Sequence, residues 1–139
     1  MIILDTNVVS ALMMNNPDPA IIRWLDHHPP ESVWTTAVTV FELRVGIERL
    51  PPSRKRRELE EQFDRVIHQD LDDRVLVLDA SAAEKAAVLS ARRQERGRPI
   101  EIRDTMIAGI VLARRAELAT SNVRHFQDLA VPVIDPWSV

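Results

Sequence analysis

The chain opens on three consecutive apolar residues, Ile2, Ile3 and Leu4, which run straight into Asp5, Thr6 and Asn7. An apolar run this short, with no polar residue interleaved, fits a strand covered on both faces, as in the middle of a parallel sheet. Parallel strands need long crossovers, usually helices. The rest of the sequence supplies them. Short β-rich runs at Ser32–Thr36, Val75–Leu78, Leu118–Thr120 and Val131–Ile134 alternate with stretches of helical periodicity. The expectation is one α/β domain over residues 1–139, with a central parallel sheet of about five strands flanked by helices.

Local signals place the helix ends. Val8–Met14 reads as a first helix with Thr6 or Asn7 as its cap, broken by Asn15, Asn16, Pro17 and Asp18. Pro19 suits the first turn of a second helix, which Pro29-Pro30 stops. Thr39-Val40-Phe41-Glu42 and Ser81-Ala82-Ala83-Glu84 each match a capping box and predict helix starts there. Ser53 opens another helix, with Leu59, Phe63, Val66 and Ile67 as its buried stripe. Gly97 is the expected C-terminal cap of the helix opened at Ser81. Asp104 falls in the first turn of a last long helix, whose apolar face includes Met106, Ile107, Ile110 and Val111.

Composition removes several classes of function. No apolar run is long enough to span a membrane, and Met1 leads into a strand rather than a secretory signal. There is no cysteine, which excludes disulfides, thiolate metal sites and a Cys nucleophile, and fits a reducing cytoplasm. A net charge of −3 lacks the basic footprint of a protein that holds nucleic acid by overall charge. With aromatics at 4% and no tyrosine, a base-stacking platform is not expected. Gly46, Gly97 and Gly109 are the only glycines, and none follows the first strand, so a P-loop and a dinucleotide fingerprint are excluded. Ser10 and Ser81 lack a nucleophile elbow. His27-His28, beside Pro29-Pro30, reads as a surface helix end.

The acids are more telling. In a sheet of this kind, the carboxyl ends of the strands form the rim where ligands bind. Asp5 follows the first strand. Glu42 and Asp104 lie early in helices that run antiparallel to the sheet and so start at the same rim. Asn122 follows the fourth strand. Each has a local explanation: a cap for Asp5 or Thr6, a capping-box partner for Glu42, a dipole effect for Asp104, a turn for Asn122. Taken together, like charges on one rim repel, and a cation relieves them. Oxygen ligands without His or Cys suit Mg²⁺ or Mn²⁺.

The opening IILDTN, Thr39–Leu43, Asp104–Ala108 and Ala119–Phe126 occur in an order and spacing that resembles the PIN-domain family, in particular VapC-type toxins of the FitB-like branch. The resemblance runs from Met1 to Val133-Ile134-Asp135-Pro136-Trp137. It implies a single PIN domain and a metal-dependent ribonuclease, the toxin of a type II toxin–antitoxin pair. Asp5, Glu42 and Asp104 match the family's most regular acids and are the implied catalytic residues and ligands of Mg²⁺ or Mn²⁺. The family often carries a fourth acid where this chain has Asn122, which weakens a second metal site. Thr6 and Thr120 are expected to hydrogen-bond the ligands from behind. The implied partners are RNA, an antitoxin protein, a second copy in a homodimer and a toxin–antitoxin hetero-oligomer.

Two other classes stay open at this point: a catalytically weak module that acts through its antitoxin complex in operon autoregulation, and a receiver-like signalling domain. The second lacks the extra acids such a domain needs beside the first strand. Two basic runs stand out, Arg54-Lys55-Arg56-Arg57 and the set Arg92, Arg93, Arg96 and Arg98. The first precedes Glu58, Glu60 and Glu61 and reads as a solvated helix with i,i+4 pairs. Either run could track an RNA backbone.

Overall fold

The computed structural model describes residues 1–139 as a five-stranded parallel sheet in the order β3-β2-β1-β4-β5. The strands are β1 (Ile2–Leu4), β2 (Val33–Thr36), β3 (Val75–Leu76), β4 (Glu117–Ala119) and β5 (Val133–Ile134). The helices are α1 (Thr6–Leu12), α2 (Pro19–Asp26), α3 (Ala37–Glu48), α4 (Arg54–Asp64), α5 (Ala80–Glu95) and α6 (Ile102–Arg114). A π-helical turn, Arg65–Asp70, extends α4, and a 3₁₀ turn, Val123–Phe126, follows β4.

The sheet is covered on both faces, as the opening run requires. Ile2 and Leu4 enter one core with Val8, Trp24, Phe63 and Val66. Ile3, between them, enters the other with Ile107, Ile110, Leu118 and Phe126. Alternation along three residues thus sends one strand's side chains into two separate cores. Trp137 and Trp34 pack against these cores from their edges, and Trp24 is inside one.

The second core depends on a close approach. A Cβ on Gly109 of α6 would lie 2.4 Å from the Ala82 carbonyl oxygen and 2.7 Å from the Ala86 Cβ of α5. Only a residue without a side chain lets the two helices meet there. α5 ends where Gly97 adopts a left-handed φ of 63° and the Arg98 N–H reaches back to the Arg93 carbonyl, the expected cap.

Three helix starts differ from the sequence expectation. α1 begins at Thr6 with Asp5 as its cap. α3 begins at Ala37, because Thr36 ends β2 and its hydroxyl accepts from the Thr39 N–H. Thr39 is therefore inside the helix and makes no capping box with Glu42. α5 is capped by Asp79, which accepts from the Ala82 N–H, so Ser81 is likewise internal.

Candidate active site

The strand order reverses between β2 and β4 on either side of β1, and the crevice beyond the strands' carboxyl ends lies at that switch. Asp5 ends β1 there and is 2% exposed. Its Oδ1 accepts from the Thr6 N–H at 2.8 Å. Its Oδ2 accepts from the Thr120 hydroxyl at 2.7 Å and the Asn7 amide at 3.2 Å. Burial pushes the Asp5 carboxyl above the ordinary aspartate range. The Thr120 and Thr6 bonds pull it back, while the charge of Asp104 pushes further up.

Glu42 sits in the second turn of α3 and faces the same rim. A file of hydroxyls reaches it: Thr36 donates to Thr39 at 3.4 Å, Thr39 pairs with Thr6 at 3.0 Å, and Thr6 donates to Glu42 Oε1 at 3.2 Å. Since α3 starts at Ala37, the capping explanation for Glu42 falls away. Burial raises its carboxyl, and Asp5 and Asp104 add to the rise, against the Thr6 bond and the Arg103 charge. Asp104 lies in the first turn of α6, and its Oδ2 meets His125 Nδ1 at 2.9 Å.

The expected support is present. Thr120 donates to Asp5 while accepting from Asn7 Nδ2 and the Asn122 N–H. Asn122 is therefore tied to the cluster through its backbone, and its exposed side chain bonds none of the acids. Two further participants were not singled out for these roles. Asn7 bridges Asp5, Thr120 and the Ser121 N–H. His125 pairs with Asp104, a contact foreshadowed only by its closeness to Asn122.

Arg93 also corrects the sequence reading. It is 3% exposed, forks onto both oxygens of Asp128, and donates to the Thr105 hydroxyl and the His125 carbonyl. It is a bolt between α5, α6 and the turn after β4, not part of an open basic patch. The Arg54 run behaves as expected, with Arg54 paired to Glu58 and Arg56 to Glu48 and Glu60.

The acids feel one another's charge, yet no three Asp, Glu or His side chains close onto one point as a ready metal cage. Asp5 is held by three donors and Asp104 by His125. Mg²⁺ does not demand a full protein cage. It takes one or two carboxylates and completes its octahedron with water and substrate phosphate. A set of hard oxygen donors that repel one another, with Asp5 buried and Glu42 and Asp104 reached by solvent, fits such an ion.

A PIN domain family model matches residues 2–132. The chain is a PIN-domain protein. VapC ribonuclease Y4jK of Sinorhizobium fredii is 33% identical to this PIN domain over 137 residues, 99% of this chain and 98% of that one. The crystal structure of FitAcB from Neisseria gonorrhoeae matches with a TM-score of 0.88 at 31% identity, covering 100% of both chains. VapBC-5 of Mycobacterium tuberculosis, from the VapBC family of toxin–antitoxin systems, matches with a TM-score of 0.67 at 27% identity, over 95% of this chain and 94% of that one. No helix is long and apolar enough to cross a membrane.

Proposed function

We propose that this protein is the toxin of a type II toxin–antitoxin pair and hydrolyses RNA phosphodiester bonds with Mg²⁺ or Mn²⁺. The observation that supports it most is Asp5, a carboxylate kept in a buried site that disfavours its charge, beside Glu42 and Asp104. A buried acid with no cationic partner of its own is costly unless a cation comes to it. A VapC ribonuclease is matched along the full chain, which fits this chemistry.

Asp5 and Asp104 are the residues that would hold the ion. When bound, it supplies Lewis acidity, neutralising phosphate charge and acidifying water. Thr120 and Asn7 fix the rotamer of Asp5, and His125 fixes that of Asp104. Glu42, aligned by Thr6, orients the attacking water. Water adds to phosphorus as the bond to the leaving oxygen breaks. An antitoxin protein and the homodimer belong to the same proposal.

The test uses antitoxin-free protein and total RNA with Mn²⁺, followed by sequencing of the RNA ends. Asp5→Asn and Asp104→Asn are expected to lose cleavage by at least about 100-fold, as metal-site lesions do, while circular dichroism shows the fold intact. Full activity in those variants, or in excess EDTA, overturns the reading.

A further inference from the structure

Beside the acid rim lies an open cleft of about 400 Å³. One wall is the end of α5 and the turn after it, carrying Arg96 and Arg98; the other is the turn after β4, with Arg124, His125, Gln127 and Asp128. We infer that this cleft binds the phosphates next to the cleaved one, so that a single-stranded RNA lies across both Asp104 and the three arginines. The inference rests on the nuclease reading and adds the path of the substrate.

Four observations carry it. First, the charge is uncommitted. The only acid in the lining, Asp128, is already forked by Arg93, which leaves Arg96, Arg98 and Arg124 in no ion pair. Arg54 and Arg56 on α4, by contrast, are paired with glutamates. Second, most of the lining side chains are charged or polar, with Pro99 and Ile100 the apolar ones. The free guanidinium groups suit phosphate oxygens. Third, the walls are preset. Gly97 turns the chain so that Arg96 and Arg98 line one cleft, and Arg93 ties that wall to the His125 carbonyl opposite. With the backbone of both walls fixed, binding a phosphate has only the side-chain freedom of the arginines left to order. Fourth, the cleft adjoins the rim through one residue: His125 lines it and meets Asp104 at 2.9 Å.

The test is fluorescence anisotropy of a fluorescein-labelled single-stranded RNA in EDTA, over a range of salt. The triple variant Arg96→Gln/Arg98→Gln/Arg124→Gln is compared with wild type and with Arg54→Gln/Arg56→Gln on α4, whose arginines are paired. Three single-strand phosphate contacts at ~0.7 each reduce the slope of log K against log salt by ~2, and weaken binding ~100-fold at ~0.1 M salt. The α4 variant is expected to bind as wild type does. In cleavage assays the triple variant raises KM more than it lowers kcat. If the triple variant does not fold, the single variants Arg98→Gln and Arg124→Gln should each remove ~0.7 from the slope.

An unchanged slope and affinity overturns the proposal, as does an equal loss in the α4 variant. So does a loss confined to an acidic probe such as polyglutamate, which would make the cleft a peptide site. Wild-type cleavage separates the two readings. Cleavage with normal RNA binding by the triple variant removes the cleft alone. Salt-dependent binding through the arginines without cleavage keeps the cleft and removes the nuclease.

Discussion

Asp5 shows what a functional acid costs its own fold. Burial disfavours its charge more than the bonds from Thr120 and Thr6 restore it, so its folded pKa lies above its unfolded one. The metal-free folded protein therefore holds more protons than the unfolded chain between those two values. Stability from this residue is fully present below the unfolded value and is lost as pH rises through the folded one. Urea midpoints taken from pH 4 upward should fall less steeply in Asp5→Asn than in wild type. The difference curve isolates Asp5 from Asp128, which Arg93 holds below the ordinary range and which acts in the opposite direction. Parallel curves would mean that Asp5 titrates alike in both states. Glu42, also raised, keeps part of the slope in the variant.

At the scale of elements, the close contact between α5 and α6 positions Asp104, because Asp104 stands in the first turn of α6, little more than a turn before Gly109. Gly109→Ala forces its new Cβ against the Ala82 carbonyl at 2.4 Å, a backbone clash that no rotamer relieves. It should destabilise the protein by about 1–3 kcal/mol, read as a lower urea midpoint at unchanged m-value. An unaltered midpoint would mean that the helices part freely. Elements also show what the sequence made legible. The alternation of strands and helices determined the sheet, and the sheet placed Asp5, Glu42 and Asp104 on one rim. That placement survives an error of three residues in the start of α3, because Glu42 moves only from the first turn of the helix to the second and still meets Thr6. The starts differ for a local reason. Thr39 and Ser81 look like caps, but Thr36 and Asp79 lie upstream and accept from the Thr39 and Ala82 N–H groups, so each helix has already begun before it reaches them. The contacts of His125 with Asp104 and of Arg93 with Asp128 were illegible for a different reason. They join segments whose separation in space depends on how far the chain turns after β4, and no periodicity encodes that.

For the whole molecule, net charge conceals the working arrangement. A sum of −3 rules out holding nucleic acid by overall charge, and the fold instead sets an anionic rim beside a cationic cleft, joined at His125. The rim itself exists only when the chain is folded, since Asp5, Glu42 and Asp104 come from separate elements. An ion that needs them together binds the folded state and not the unfolded one, and so stabilises by mass action. At 100 times its Kd, Mn²⁺ should add about 2.7 kcal/mol, seen as a rise in Tm that excess EDTA reverses. The same ion should also abolish the fall in stability with rising pH, because it favours the charged form of the acids that burial opposes. Asp104→Asn should remove the rise while leaving the metal-free Tm close to wild type, because Asp104 is bonded only to His125 at the rim. An equal rise in wild type and Asp104→Asn would place the ion elsewhere on the protein. No rise in wild type would mean that the three acids tolerate one another without a cation, and their shared rim would then need another explanation.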